Sequence, residues 1–419
     1  MPTIAALNVY PIKSCRGVSL QSAMMTSAGL AYDREWMVVR QETGKFISQR
    51  EKSLLALVDV ALPAEVLSPA QWGTQLSAEA ALTVSAPGMP PLKVLMARRP
   101  DNEVRKVTVW EWTGAGADEG DDAAAWFSRY LGVAARLVRY LGSGGGVQQQ
   151  EALPLVRTTE PEFAVDYEVR FSDGYPMLLV TQVTVWEWTG AGADEGDDAA
   201  AWFSRYLGVA ARLVRYLGSG GGVQQQEVGG AAWPGGGKGG EEAKAKGAKS
   251  EALPLVRTTE PEFAVDYEVR FSDGYPMLLV TQSALADLNT KMAEPLPMNR
   301  FRPNIEVSGV EPWAEDGWRD IDIACAADGR TVRLTSVKPC SRCKITTTDQ
   351  ATGEVGDEPL ETLGTIRSGK VLGWNKDQKS WTHAVFFGWN VVSRTPGVLS
   401  VGDVLTVASP QLAVLTPAA

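Results

Sequence analysis

The stretch Val107-Thr108-Val109-Trp110-Glu111-Trp112 opens the segment whose reading decides how the rest of the chain folds, because that segment occurs twice. Val107 to Gln182 recurs without a substitution as Val183 to Gln226 followed by Glu251 to Gln282. Between the two pieces of the second copy lies a 24-residue insert, Glu227 to Ser250, rich in Gly, Ala, Lys and Glu, which is linker composition. Diverged structural repeats do not match so perfectly over 76 residues, and the period is not that of a solenoid, so a recent duplication or a gene-model error accounts for it. Without one copy and the insert, 319 of the 419 residues remain, the size of an ordinary two-domain protein.

One core has room for one copy, and connections indicate which parts enter it, since short links cost less entropy to close. Val107 continues directly from the preceding segment, which favours the first copy at that end. Met277-Leu278-Leu279-Val280 runs straight into the helix-like Ser283 to Leu288, which favours the second copy at the other. The expected organisation is therefore a first domain over 1–150, an extruded and poorly packed duplicate over 151–250, and a second domain over 251–419.

Working outward, Leu7 and Val9, Val18 and Leu20, and Met37 and Val39 stand at alternate positions, which is strand spacing. Gly29, Gly44, Pro63, Pro69 and Gly88-Met89-Pro90-Pro91 punctuate these runs as in a small barrel or sandwich. Asp121 to Leu131 opens on acids suited to a helix start and repeats apolar groups at helical spacing. After a helix near 283, strands are expected at Ile305 to Val307, Thr331 to Leu334, Ile345 to Thr348, Ala384 to Phe387 and Val404 to Val407. The fold class is mainly β with a few helices.

A composition of 44% hydrophobic and 21% charged residues is globular, and no apolar run reaches the length of a membrane-crossing helix. Met1 to Tyr10 has neither the pattern of a secretory signal nor that of a transit peptide, so the expected location is cytoplasmic. A net charge of −10 argues against nucleic acid as a partner. The lone histidine, His383, excludes zinc designs built on several imidazoles, and four cysteines make no disulfide framework.

The main chemical signal is Lys338-Pro339-Cys340-Ser341-Arg342-Cys343-Lys344-Ile345-Thr346-Thr347-Thr348-Asp349. Cations beside a Cys-x-x-Cys pair, here Arg342 and Lys344, favour the thiolate. Structural zinc would need Cys15 and Cys325 as further ligands, at a spacing that matches no ribbon or finger. A thioredoxin-like disulfide would place the pair at the start of a helix, whereas β-branched residues follow it. Two small buried core residues remain the plain alternative.

The surrounding motifs add to this signal. Tyr10-Pro11-Ile12-Lys13-Ser14-Cys15-Arg16-Gly17, Asp33-Arg34-Glu35-Trp36, Ser272-Asp273-Gly274-Tyr275-Pro276, Arg300-Phe301-Arg302-Pro303-Asn304, Cys340-Ser341-Arg342-Cys343, Phe387-Gly388-Trp389-Asn390 and Val401-Gly402-Asp403 occur in this order. With them the chain resembles the MOSC family, in particular its amidoxime-reducing component type. The resemblance implies an N-terminal MOSC β-barrel domain followed by a β-rich MOSC domain, with a molybdenum-molybdopterin cofactor between them. It implies that Cys343 is the molybdenum ligand and the catalytic residue. It further implies that Lys13, Ser14 and Arg34 from the first domain and Arg302, Ser341 and Arg342 from the second hold the cofactor, with Gly274, Tyr275 and Asn390 as further contacts. The implied activity is reduction of N-hydroxylated compounds such as amidoximes and hydroxylamines, with cytochrome b5 and cytochrome b5 reductase as electron donors. The alternative is a sulfurase-like or cofactor-carrier MOSC protein without reductase activity; sulfurases add an upstream pyridoxal-phosphate domain, which is not expected here.

Overall fold

The structure is a computed structural model that describes residues 1–67, 72, 76–99, 102–110, 112–141, 177–180, 192–194, 212–216, 269–374, 379–393 and 395–410. Two compact units are present, Met1–Gln149 with Lys249–Ala419, and Gln150–Ala248. The expected poor packing of 151–250 falls largely outside the described residues.

The large unit is organised by a closed ring of strands. Ile305–Ser308, Met277–Thr281, Phe386–Ser393, Thr331–Ser341, Trp318–Ala324 and Val404–Pro410 lie side by side in that order. Thr3–Val9 closes the circle by pairing with Val404–Pro410 on one side and Ile305–Ser308 on the other. Closure leaves no unpaired edge. The N-terminal strand thus completes a barrel whose other staves come from the second half of the chain. A second link of this kind is Gly397–Ser400, which pairs with Ser22–Thr26.

Met277–Thr281 shows why this arrangement suits the sequence. Its five residues are all buried, with Met277 and Leu279 in the main core and Leu278 and Val280 in a second one. A strand covered on both faces needs an unbroken apolar run. It pairs in parallel with Ile305–Ser308, and the crossover that parallel pairing requires runs through the helix Gln282–Asn289, capped by the Thr281 hydroxyl.

In the first half, Trp36–Arg40, Ala135–Tyr140, Trp112–Asp118 and Val104–Val109 form an antiparallel sheet in that order. Trp36 and Val38 enter the main core while Met37 and Val39 enter another, as the two-residue period of a strand dictates. The helix Asp121–Leu131 lies over the expected residues, with Asp121 and Asp122 in its first turn and Gly132 closing it in the left-handed region. The first copy of the duplicated segment therefore supplies this part of the large unit, and the second copy supplies Met277–Thr281.

One expectation fails. Lys344–Thr347 is a single 3-10 turn where a strand was expected at Ile345 to Thr348. The hydroxyls of Thr346 and Thr347 donate back to the carbonyls of Cys343 and Lys344, each at 2.9 Å, and this local bonding overrides β propensity. The fold class itself stands: mainly β, with four α-helices among the described residues.

Candidate functional site

The strand Thr331–Ser341 delivers the cysteine pair to the end of the ring, and the Arg342 amide still bonds the Val385 carbonyl at 2.8 Å. The chain then turns at Cys343, which is extended and half-buried. Its sulfur accepts a hydrogen bond from Arg50 Nη2 at 2.8 Å. Arg342, expected to serve Cys343, instead donates to the Cys340 sulfur at 2.9 Å, and Lys344 is exposed. The cation at the thiol is a residue from the other half of the chain.

Arg50 lies over the Trp110 ring at 4.6 Å, and its guanidinium is 3.9 Å from Asp273. Lys13, almost fully buried, donates to the Phe271 carbonyl at 2.8 Å and to Asp273. Trp110 Nε1 adds a second hydrogen bond to Asp273, at 3.1 Å. Packing around Asp273 raises its carboxyl, but Lys13, Arg50 and the Trp110 bond outweigh that and hold it below the usual carboxylate range. Half of this side chain is still exposed, so solvent screens the pairs.

Beside this group, Arg34 and Arg302 share one aromatic ring, at 4.3 and 4.2 Å from the centre of Tyr10. Arg34 bonds Asp33 and the Asn304 amide oxygen, the latter at 2.9 Å. Arg302 is buried and donates to the Cys15 carbonyl at 2.7 Å and to Gln350 at 3.4 Å. Among the described residues no carboxylate forms an ion pair with it. Burial lowers its guanidinium to about 10 and raises the Tyr10 phenol to about 12.

The two groups form one wall. Gln49, next to Arg50, donates to the Ser14 carbonyl at 2.7 Å and exchanges bonds with Gln350, and Ser14 follows Lys13. Arg342 Nη2 donates to the Phe301 carbonyl at 2.8 Å, beside Arg302. Ser14, Arg34, Trp110 and Arg302 all adopt the left-handed region, with φ of 69°, 46°, 53° and 57°. Such backbone is costly for non-glycine residues and persists where the surroundings enforce it. Arg50 Nη1, Arg300 Nε and Arg342 Nε are buried with no hydrogen-bond partner in the described structure. Unsatisfied cationic donors around a thiol are complementary to a polyanion.

The description "MOSC N-terminal beta barrel domain" matches residues 1–134, and "MOSC domain" matches residues 266–406. The chain belongs to the MOSC family. It is 25% identical to mitochondrial amidoxime reducing component 2 of Rattus norvegicus, over 87% of this chain and 72% of the relative. Against mitochondrial amidoxime-reducing component 1 of Homo sapiens it is 24% identical over 96% of this chain and 81% of the relative. Component 1 of Danio rerio is 38% identical over a shorter part, 34% of this chain and 40% of the relative.

Within this MOSC chain the structure links Lys13, Ser14, Arg34, Arg302, Arg342 and Cys343 through shared or sequence-adjacent partners. Of the other four residues singled out in the sequence, Gly274, Tyr275 and Ser341 are near neighbours in the chain of Asp273 and Arg342, and Asn390 lies on Phe386–Ser393. Gly274 and Tyr275 follow Asp273, and Tyr275 packs on Val269, Val337 and Val392. Asn390 donates to the Lys338 carbonyl at 3.3 Å, and Ser341 is exposed at its strand end opposite Phe386. Arg50, Trp110, Gln49 and Gln350 were missed, and Asp273 was seen only as part of a motif. Nothing in Ser48-Gln49-Arg50 as a sequence distinguishes it from a solvated polar run. Among the described residues no three His, Cys, Asp or Glu side chains converge as a metal cage. A single cysteine sulfur beside cations suits a metal that arrives with donors of its own.

Proposed function

We propose that this protein is a molybdenum-cofactor oxidoreductase that reduces amidoximes, hydroxylamines and related N-hydroxylated compounds. The observation that carries the reading is the hydrogen bond from Arg50 to the half-buried thiol of Cys343, on a wall where Arg50 Nη1, Arg300 Nε and Arg342 Nε have no hydrogen-bond partner among the described residues. That donor set fits a molybdenum-molybdopterin cofactor, whose phosphate and dithiolene are anionic. When bound, the cofactor supplies two-electron oxygen-atom chemistry at the metal.

The chain's own residues have simpler tasks. Cys343 gives one soft ligand, and Arg50 orients its sulfur from the side. Arg302, Arg34 and Arg342 neutralise anionic groups in a region where burial strengthens each contact. Asp273 holds Lys13 and Arg50 in place and stays ionised while doing so. Ser14, Gly274, Tyr275, Ser341 and Asn390 are proposed as further contacts. The relatives' names support a reductive reaction, and the electrons for it come from a separate donor, cytochrome b5 with its reductase, as the resemblance to the amidoxime-reducing type implies. The described cysteines are free, which is consistent with the cytoplasm as the place of action. Among the described residues no helix is long and apolar enough to cross a membrane.

The test combines metal analysis with turnover. Purified protein should contain molybdenum and reduce benzamidoxime when given cytochrome b5 and its reductase. Cys343→Ser should lose both, while Cys340→Ser should keep most of the metal. Equal loss at both positions would overturn the single-ligand assignment, and metal-loaded protein without turnover would identify a carrier instead.

A further inference from the structure

The small unit, taken by itself, contains an antiparallel sheet in which Arg212–Tyr216 lies between Gly192–Asp194 and Met177–Val180. Gly192–Asp194 and Arg212–Tyr216 are the second copies of Gly116–Asp118 and Arg136–Tyr140. They pair in the register of the first copy: Gly192, Ala193 and Asp194 face Tyr216, Arg215 and Val214, as Gly116, Ala117 and Asp118 face Tyr140, Arg139 and Val138.

On the other edge a different sequence takes the same place. In the large unit Trp36, Met37, Val38 and Val39 face Arg139, Val138, Leu137 and Arg136. In the small unit Met177, Leu178, Leu179 and Val180 face Arg215, Val214, Leu213 and Arg212, the second copies of those residues. Met-Leu-Leu-Val therefore stands residue for residue where Trp-Met-Val-Val stands, in the same antiparallel sense. Its twin, Met277–Val280, does something else and sits in the ring between Ile305–Ser308 and Phe386–Ser393.

We propose that Met177–Val180 is a surrogate for Trp36–Val39: it closes the repeated segment on itself and keeps Arg212–Tyr216 out of the slot beside Trp36–Arg40. The slot is protected in the same chain and in a second copy of the chain. Both tetrapeptides are apolar throughout, and the two faces of Trp36–Val39 enter two different cores. A two-stranded remnant of the repeat would be marginal alone and would offer an open edge. That edge complements Trp36–Arg40 as well as Arg136–Tyr140 does, because the sequences are identical. The first copy keeps the slot because it continues directly from Lys106, whereas seating the second copy would add a loop to close. This advantage holds while the second copy has a partner of its own.

The test uses cysteine pairs in the full chain. Val38→Cys with Leu137→Cys reports the first copy in the slot, since those residues are paired and within disulfide reach. Val38→Cys with Leu213→Cys reports the second. Leu178→Pro then removes one donor from the surrogate ladder, because Leu178 stands where Met37 stands and the residues on either side of Met37, Trp36 and Val38, bond away from Ala135–Tyr140. With Leu178 intact, the first pair should cross-link and the second barely. With Leu178→Pro, the cross-link from Cys introduced at 38 to Cys introduced at 213 should rise at least tenfold, in the monomer or the dimer band. No rise overturns the proposal, as does loss of the 38–137 cross-link without a gain of the other.

Discussion

Replacing Arg302 with methionine separates a cofactor-binding role from a structural one, because the two make opposite demands on the same side chain. Arg302 is 8% exposed, forms no carboxylate ion pair among the described residues, and shares Tyr10 with a second guanidinium. Burial takes its pKa from 12.5 to about 10, which corresponds to about 3 kcal/mol of destabilisation in the cofactor-free fold. The sign follows from linkage: the cation is penalised in the folded state, so the full penalty is present below pH of about 10 and therefore at neutrality. Methionine has similar reach and no charge, so it relieves that penalty. Against this, the Cys15 carbonyl loses its 2.7 Å donor, at a cost of about 1–3 kcal/mol. The two terms nearly cancel, and cofactor-free Arg302→Met should unfold within about 2 kcal/mol of the parent. Cofactor binding has no such compensation. Loss of a charge-assisted contact worth about 1.5–3 kcal/mol weakens retention roughly tenfold to a hundredfold. Urea unfolding of cofactor-free protein, with molybdenum and pterin content after dialysis, measures both. Unchanged retention together with a stability loss above about 3 kcal/mol would refute the reasoning and make Arg302 a structural residue.

Asp273→Asn should remove a stabilisation that exists above the ordinary carboxylate range and fades as pH falls through the lowered folded value, so the gap to the parent in urea midpoint should be wide at neutral pH and narrow in acid. A gap independent of pH would show that Lys13 and Arg50 do not depend on the charge. Glu315, buried against Thr281 and raised to about 7 by its burial, destabilises the fold as pH rises from its ordinary value through about 7. Glu315→Gln should therefore stabilise the protein at pH of about 8 by up to about 3 kcal/mol and change little at pH of about 5, as read by denaturant titration at the two values. Gly388 has φ of 75°, and a Cβ there would lie 2.7 Å from the Leu279 carbonyl oxygen. Gly388→Ala should lower the melting temperature by several degrees, and an unchanged value would mean that the ring relaxes around it.

Several parts of this molecule could be read from local pattern. Alternation at Met37 and Val39, acids before the apolar positions of Asp121–Leu131, and the all-apolar Met277–Val280 each report a face to be buried, and each element formed. The 3-10 turn after Cys343 escaped because the same threonines that favour strands can also bond their own backbone, and the sequence does not say which partner is nearer.

What the sequence determined by itself was the β-rich class, the duplication, and the thiol and basic residues whose ordered motifs resemble one family. Only the tertiary structure decided that Thr3–Val9 closes a ring made mostly of later strands, and that Arg50, rather than Arg342, meets Cys343. Side-chain period is a local property and is written into neighbouring residues. The partner of a strand edge or a sulfur is set by packing between segments hundreds of residues apart, and no spacing along the chain encodes that distance.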